Sequence, residues 1–126
     1  MSDGATLYDR VGGQTFFDEL VERFYGEVES DLILRPMYPD ELTESRRHLA
    51  LFLGQYWGGP ATYSEERGHP RLRMRHAPFR VTKQARDAWL VHMRSALVEM
   101  RGRLSEADAS EFDAYIEMAA HQLRNT

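Results

Sequence analysis

The chain has 126 residues, of which 42% are hydrophobic and 29% charged, a composition typical of a folded domain with a core and not of a disordered segment. It contains no cysteine, which excludes disulfides and thiolate metal sites. The formal net charge of −4 argues against nucleic acid as a partner, since duplex-binding domains usually carry a net basic face. We therefore expect one domain over residues 1–126.

The apolar runs are too short to cross a membrane. The longest, 49–53, falls far below the ~20 residues that a membrane-spanning helix requires. Residues 1–4 lack a basic stretch followed by an apolar one, so we expect no secretory signal. A cytoplasmic location is the resulting expectation.

Apolar residues recur at three- and four-residue intervals along most of the chain, which predicts an all-α fold. A short first helix begins near Leu7 and ends at the Gly12-Gly13 pair, because glycine adopts the positive φ angles of a helix terminus. The next apolar stripe predicts a helix over about 15–29, for which Thr15 resembles an N-terminal cap.

Prolines and glycines divide the middle of the chain. Pro36 and Pro39 predict an irregular segment, and a helix over roughly 42–57 follows it. After the glycines and proline that end this helix, 58–70 is predicted to be a long ordered loop or short turns. The inner face of the 42–57 helix is expected to comprise Leu42, Ser45, Leu49, Phe52, Leu53 and Tyr56.

The last third of the chain predicts one short and two long helices. Pro70 opens the short one and Pro78 disfavours helical geometry just beyond it, so His76 lies at the end of a segment braced by prolines. The long helices are expected over about 82–101 and 106–123, the second with Ser105 as its cap.

Histidines are the first candidates for chemistry. No two of the five share the one-turn spacing that places two imidazoles on one helical face, which argues against a closed zinc site. His92 lies on an apolar stripe, where we expect a hydrogen-bonded core histidine. Residue type and position alone also favour a structural role for His76, because most single histidines are not ligands.

Two further features allow a structural or a functional interpretation. Four arginines, at positions 71, 73, 75 and 80, crowd into ten residues; a solvated loop is the usual explanation and a small anionic ligand the alternative. Tyr25 and Trp89 occupy apolar stripes although each carries a polar group that needs a partner when buried. The alternative is that Tyr25 and Trp89 are ordinary core aromatics whose polar groups are hydrogen-bonded.

A set of motifs in one order resembles the truncated haemoglobins, most closely the group II branch typified by actinobacterial proteins. The resemblance covers essentially the whole chain, and its most specific part is the block that ends in His76-Ala77-Pro78-Phe79. The other motifs are Val11-Gly12-Gly13, Arg23-Phe24-Tyr25, Gln55-Tyr56-Trp57-Gly58-Gly59-Pro60, the run from Tyr63 to Arg75, and Trp89.

The resemblance implies a two-on-two sandwich, in which helices 15–29 with 42–57 and 82–101 with 106–123 enclose one haem b. It makes His76 the proximal iron ligand, whose other ring nitrogen should donate to a backbone carbonyl or another acceptor. It makes Arg75 the partner of the haem propionates, and it gives the arginine cluster the role of neutralising them.

The resemblance also assigns the rest of the pocket. The distal residues it implies are Tyr25, Tyr38, Ser45, Leu49 and Trp89. Tyrosine hydroxyls and the indole N–H can donate to the partially negative oxygens of a gas ligand, whereas Ser45 departs from the small residue, often alanine, usual in this branch. Further haem contacts are expected from His48, Phe52, Tyr63, Leu72, Phe79 and Val81.

The implied function is reversible binding of dioxygen, carbon monoxide, nitric oxide or similar ligands with tight oxygen retention. Such retention favours redox chemistry, such as conversion of nitric oxide to nitrate or reduction of peroxide, with an external reductase. A sensor or storage protein acting through a partner is the alternative, and a helical interaction module without haem is a third. The sequence leaves open whether the protein forms a homodimer.

Overall fold

The computed structural model describes residues 5–126, so the expectation that 1–4 hold no secretory signal lies outside the described part. Residues 5–126 are helical without any strand, which confirms the all-α prediction. None of their helices is both long and apolar enough to span a bilayer. The helices are α1 Leu7–Arg10, α2 Gln14–Val28, α3 Thr43–Tyr56, α4 Thr62–Arg67, α5 Leu72–His76, α6 Lys83–Glu99 and α7 Glu106–Leu123, with 3-10 turns at Arg35–Met37 and Arg101–Arg103.

The first two helices meet at the glycine pair. Gly12 and Gly13 adopt φ angles of 97° and 86°, as predicted for the end of α1. The predicted cap of α2 is wrong, because Thr15 lies inside the helix and Gly13 is its N-cap residue, without a side-chain hydrogen bond. The left-handed glycine lets the helix begin one residue early, and Gln14 donates instead to the carbonyl of Ala50 on α3 at 2.9 Å.

The region predicted as loop or short turns contains a helix of its own, α4. Two hydrogen bonds to Gln55 of α3 hold it in place: the Gln55 amide nitrogen donates to the Ser64 hydroxyl at 2.8 Å, and the Ser64 backbone N–H donates to the Gln55 amide oxygen at 2.9 Å. A local sequence pattern does not reveal this support, because it comes from the preceding helix. The prediction of a long ordered loop or short turns over 58–70 is therefore wrong for Thr62–Arg67, which form a helix.

The end of α3 also differs from the prediction. Tyr56 was expected on the inner face but is 50% exposed, and its ring stacks on that of Tyr115 with centroids 4.0 Å apart. Trp57, the next residue, takes the core position at 9% exposure and stacks on Phe112 at 5.3 Å. The chain leaves helical geometry here, so the helical stripe no longer decides which side chain points inward.

Each of the two later long helices begins after a hydroxyl cap. The Thr82 hydroxyl accepts from the backbone N–H of Ala85 at the start of α6, and the Ser105 hydroxyl accepts from that of Asp108 at the start of α7. The Ser105 cap is thus confirmed. The short helix α5 starts after Arg71, which has a left-handed φ of 43°.

Two helix pairs form the body of the fold. α2 packs against α3, α6 packs against α7, and α2 also contacts α6, while α4 lies on α3 and α5 on α7. The most deeply buried side chains are Phe16, Phe17, Leu20, Val21, Phe24, Val28, Met93, Phe112 and Ile116. This core joins α2, α6 and α7 and leaves room for a cavity between the pairs.

Candidate functional site

A cavity of about 370 Å³ opens between the helix pairs, within the size range of small-molecule and cofactor sites. Its wall is largely apolar, and it brings together every residue that the sequence analysis assigned to a pocket. Those residues are Tyr25, Tyr38, Ser45, His48, Leu49, Phe52, Tyr63, Leu72, Arg75, His76, Phe79, Val81 and Trp89.

His76 reaches the cavity from the last residue of α5. Its Nδ1 lies 2.7 Å from the carbonyl oxygen of Leu72, one turn earlier. A carbonyl only accepts hydrogen bonds, so Nδ1 carries a proton, and in the neutral imidazole Nε2 then keeps its lone pair. Within residues 5–126, Nε2 has no hydrogen-bond partner. This arrangement leaves one nitrogen of a neutral imidazole available as a metal ligand.

The segment that follows His76 is tied to the end of the chain by Asn125. The Asn125 amide nitrogen donates to the carbonyl of Phe79 at 2.9 Å and to that of His76 at 3.3 Å. Its amide oxygen accepts from the backbone N–H of Val81 at 2.9 Å. Asn125 was not predicted as a site residue, since no pattern near position 125 indicates a partner more than forty residues earlier.

Tyr25 and Tyr38 form a pair of phenols at the cavity. Tyr25 is 3% exposed, and the two rings meet edge to face with centroids 5.4 Å apart. Burial raises the pKa of Tyr38 to about 12. Burial, reinforced by the neighbouring Tyr38, also raises the pKa of Tyr25 far above its ordinary value. Both groups are therefore neutral O–H donors throughout the physiological range.

Trp89 contributes a third donor from α6. Its ring packs on Phe24 of α2 with centroids 5.7 Å apart, and the side chain is half-buried at the cavity. Ser45 and Leu49 line the cavity from α3. A hydrogen bond with the Ser45 hydroxyl lowers the pKa of Tyr25, but burial raises that pKa by more. The residues expected on the distal side thus all line the cavity.

Cationic side chains stand at the cavity wall, but they are not the predicted cluster. Of the four clustered arginines only Arg75 lines the cavity, and Arg67 and Arg86 join it from α4 and α6. The other three clustered arginines are not among the lining residues, so the role of the whole cluster stays a prediction. Arg67 also contacts the His48 ring. It was missed because α4 was not predicted.

Arg75 is itself held in place by the backbone. Its Nε donates to the carbonyl of Pro70 at 2.7 Å and its Nη2 to that of Arg67 at 2.8 Å. These bonds leave Nη1 without a partner in the described part of the chain. One nitrogen of a fixed guanidinium is thus free to meet a carboxylate.

The helix α7 supplies a wall that the sequence analysis treated as core alone. Tyr115, Ala119 and Leu123 fall four residues apart on its apolar stripe and line the cavity with Ala120. The periodicity predicted their inward orientation. It could not distinguish packing against other helices from packing against a cofactor.

These features fit haem. The cavity offers apolar walls from both helix pairs, an imidazole that can present Nε2, and guanidinium groups for two carboxylates. A family model for bacterial-like globins matches residues 6–125. The chain belongs to this family. Haem b is the cofactor of the truncated haemoglobins within it.

Individual relatives place the chain among the group II truncated haemoglobins. Group 2 truncated hemoglobin YjbI of Bacillus subtilis is 45% identical over 101 residues, which are 79% of this chain and 76% of that protein. This match confirms the resemblance inferred from the sequence motifs.

Solved structures agree with the fold as well. The thermostable haemoglobin of the actinobacterium Thermobifida fusca is 46% identical, with a TM-score of 0.93 over 97% of this chain and 98% of that one. The truncated oxygen-avid haemoglobin of Bacillus subtilis is 39% identical, with a TM-score of 0.87 over 96% of this chain and the whole of that one. The two-on-two globin fold is confirmed.

Proposed function

We propose that this truncated haemoglobin reversibly binds dioxygen and other diatomic gases, including carbon monoxide and nitric oxide, with His76 as the iron ligand. Haem, when bound, supplies the ferrous iron at which such gases are held. The observation that carries the proposal is the hydrogen bond from His76 Nδ1 to the Leu72 carbonyl, which leaves Nε2 free in the same cavity as three neutral donors.

Hydrogen bonds within the chain orient His76. The Leu72 carbonyl fixes both the tautomer and the plane of the ring, and an Nδ1–H that donates to a carbonyl makes Nε2 a better electron donor. The hydrogen bonds from Asn125 hold the backbone on the other side of His76. The chain itself therefore sets the direction from which the imidazole meets the metal.

Tyr25, Tyr38 and Trp89 retain the gas ligand. Each offers one neutral donor, and a neutral hydrogen bond contributes roughly 0.5–1.5 kcal/mol net. Two or three such bonds slow release by about fivefold to two-thousandfold relative to a cavity without donors. The related Bacillus subtilis protein carries the description oxygen-avid, which supports tight retention here.

The remaining lining residues hold the cofactor. Arg67, Arg75 and Arg86 provide charge for the propionates, with His48 and Tyr63 beside them. The apolar residues of the cavity, Leu49, Phe52, Leu72, Phe79 and Val81, pack against the porphyrin and exclude water.

We extend the proposal to redox chemistry rather than oxygen delivery, because slow release suits a reactive complex better than a carrier. One dioxygen, one nitric oxide and one electron balance to one nitrate, so the activity requires an electron donor, which we take to be a reductase in the reducing cytoplasm. Nitric oxide consumption by the oxygenated protein should exceed that by free haem. Equal rates would remove this extension.

The absorption spectrum of the haem-reconstituted full chain tests the gas-binding proposal. We expect stoichiometric haem uptake and a ferrous Soret band that shifts when carbon monoxide is added and returns when it is removed. Reconstitution without a carbon monoxide-sensitive band would contradict the proposal. Haem uptake by a variant in which both Tyr25 and Tyr38 are phenylalanine should persist, since those residues act on the gas and not on the cofactor.

A further inference from the structure

His92 bridges two acidic residues behind the part of the cavity that holds the donors. Its Nδ1 lies 2.8 Å from an oxygen of Glu27, and its Nε2 lies 2.6 Å from an oxygen of Asp31. Glu27 follows Tyr25 by two residues on α2, and His92 follows Trp89 by three residues on α6. We call His92, Glu27 and Asp31 the His92 bridge.

The bridge requires a charged imidazole. Both ring nitrogens face carboxylate oxygens, and a neutral imidazole carries only one N–H, so two donated hydrogen bonds need the imidazolium form. Burial opposes this charge, but the bonds to Asp31 and Glu27 outweigh it and raise the pKa of His92. In the described part of the chain, these two carboxylates are the titratable groups that act on His92.

Asp31 links the bridge to Tyr38. Its other carboxylate oxygen accepts from the backbone N–H groups of Ile33 and Leu34, each at 2.8 Å. These bonds order the start of the segment that runs through the 3-10 turn Arg35–Met37 to Tyr38. One carboxylate therefore holds both His92 and the path to a distal donor.

Glu27 is fixed in a similar way from α6. One of its oxygens accepts from Nδ1 of His92, and the other accepts from the Ser95 hydroxyl at 2.7 Å. The helix that carries Trp89 is thus bonded at two points to the helix that carries Tyr25. The polar residues that link these helices lie outside the cavity wall.

We infer that His92 is a positioning residue: as an imidazolium, it fixes the segments bearing Tyr25, Tyr38 and Trp89 relative to one another and so sets how long the cavity retains its gas ligand. This inference rests on the proposed function. When His92 loses a proton, one of its two donors becomes a lone pair that faces a carboxylate. The bridge then opens at one end, and the distal donors lose their fixed spacing.

The pH dependence of ligand release follows from the raised pKa of His92. A histidine whose pKa is raised in the folded protein contributes fully at low pH, and its contribution disappears as the pH rises through the raised value. Ligand release should therefore accelerate at alkaline pH. The pKa values of Tyr25 and Tyr38 are also raised, so both tyrosines stay protonated at the pH values where His92 titrates.

The test measures carbon monoxide and dioxygen dissociation from the ferrous full chain between about pH 6 and about pH 9. We expect the dissociation rate to rise about three- to tenfold as the pH increases. The midpoint of this rise should coincide with the pH at which NMR shows His92 to titrate. His92→Gln should release ligand at the fast rate throughout and show no such step. Asp31→Asn should behave in the same direction.

Asp113→Asn is the matched control, because Asp113 accepts from Arg94 on the other side of α6 and joins that helix to α7 instead of α2. It should keep the wild-type rates. If His92→Gln does not fold, Ser95→Ala removes one bond to Glu27 while leaving His92 in place and should also speed release.

Two results would overturn the inference. One is a wild-type rate that stays constant while His92 titrates, and the other is a folded His92→Gln variant with wild-type rates at every pH. Failure of the proposed function looks different: the wild-type protein would then show no carbon monoxide-sensitive haem band at all.

Discussion

Asn125 and Val81 exchange a pair of hydrogen bonds, one in each direction. The Val81 N–H donates to the Asn125 side-chain oxygen at 2.9 Å, and the Asn125 N–H donates to the Val81 carbonyl at 3.0 Å. The Asn125 amide nitrogen reaches back to Phe79 and His76 as well. A residue after the last helix therefore holds the backbone that follows the proposed iron ligand.

Replacing Asn125 should loosen that backbone. We expect Asn125→Ala to lower the free energy of unfolding by roughly 1–2 kcal/mol and to speed haem loss to an acceptor such as apomyoglobin. Asn125→Asp keeps the acceptor for Val81 but not the donor to Phe79, so its effect should be intermediate. Gln122→Ala, at an exposed position near the end of α7, serves as the control. Haem loss from Asn125→Ala at the wild-type rate would contradict the role of Asn125.

Removing the indole donor should affect the gas and not the cofactor. Trp89→Phe keeps an aromatic ring against Phe24 but loses the N–H, so haem uptake should be normal and oxygen dissociation about two- to tenfold faster. Val91→Ala, at an exposed position of the same helix, should change neither property. An unchanged dissociation rate in Trp89→Phe would refute its donor role.

Tyr25 and Tyr38 should act as a coupled pair. Their rings are in contact, and the neighbouring Tyr38 contributes to the raised pKa of Tyr25, so removing either hydroxyl also changes the surroundings of the other. We expect each single change to phenylalanine to speed oxygen release. The double variant should show less than the product of the two single effects, as measured by stopped-flow dissociation. A double effect equal to that product would show that the two hydroxyls act independently.

The pairing of Arg10 with Asp108 should make stability depend on acidity. Arg10 donates to both oxygens of Asp108 at 3.0 and 2.9 Å and joins α1 to α7, and this bond lowers the pKa of the buried carboxyl. A carboxyl with a lowered pKa stabilises the fold above its unfolded-state pKa and loses that contribution as the pH falls.

Asp108→Asn should therefore unfold at lower urea concentration than wild type at pH 7, and the difference should shrink below about pH 4. Glu106→Gln, in the same turn of α7, makes no ion pair within residues 5–126 and controls for the loss of one charge. A difference between wild type and Asp108→Asn that stays constant down to pH 3 would contradict the pairing.

The sequence was sufficient for the parts of the site that depend on local patterns and motifs. Helical periodicity predicted the long helices, and the motifs that resemble truncated haemoglobins predicted the residues that meet at the cavity. A helix cap that depends on a few neighbouring residues, such as Ser105, could also be predicted. Such features are decided by neighbours within one or two helical turns.

The features that were missed depend on contacts between distant segments. Asn125 meets Val81 across 44 positions, and α4 is held by Gln55 of another helix. Arg67 reaches the cavity because α4 places it there. His92 was expected to be hydrogen-bonded, but periodicity alone does not identify Glu27 and Asp31 as its two partners.

The most direct test of the central claim is rescue of His76→Gly by free imidazole. The ferrous variant should lose the five-coordinate histidine-ligated spectrum and the iron–histidine stretch in resonance Raman, and millimolar imidazole should restore both. Met118→Ala, at an exposed position of α7 outside the cavity wall, should be indistinguishable from wild type with or without imidazole. A His76→Gly variant that keeps the wild-type iron–histidine stretch without imidazole would show that another residue binds the iron.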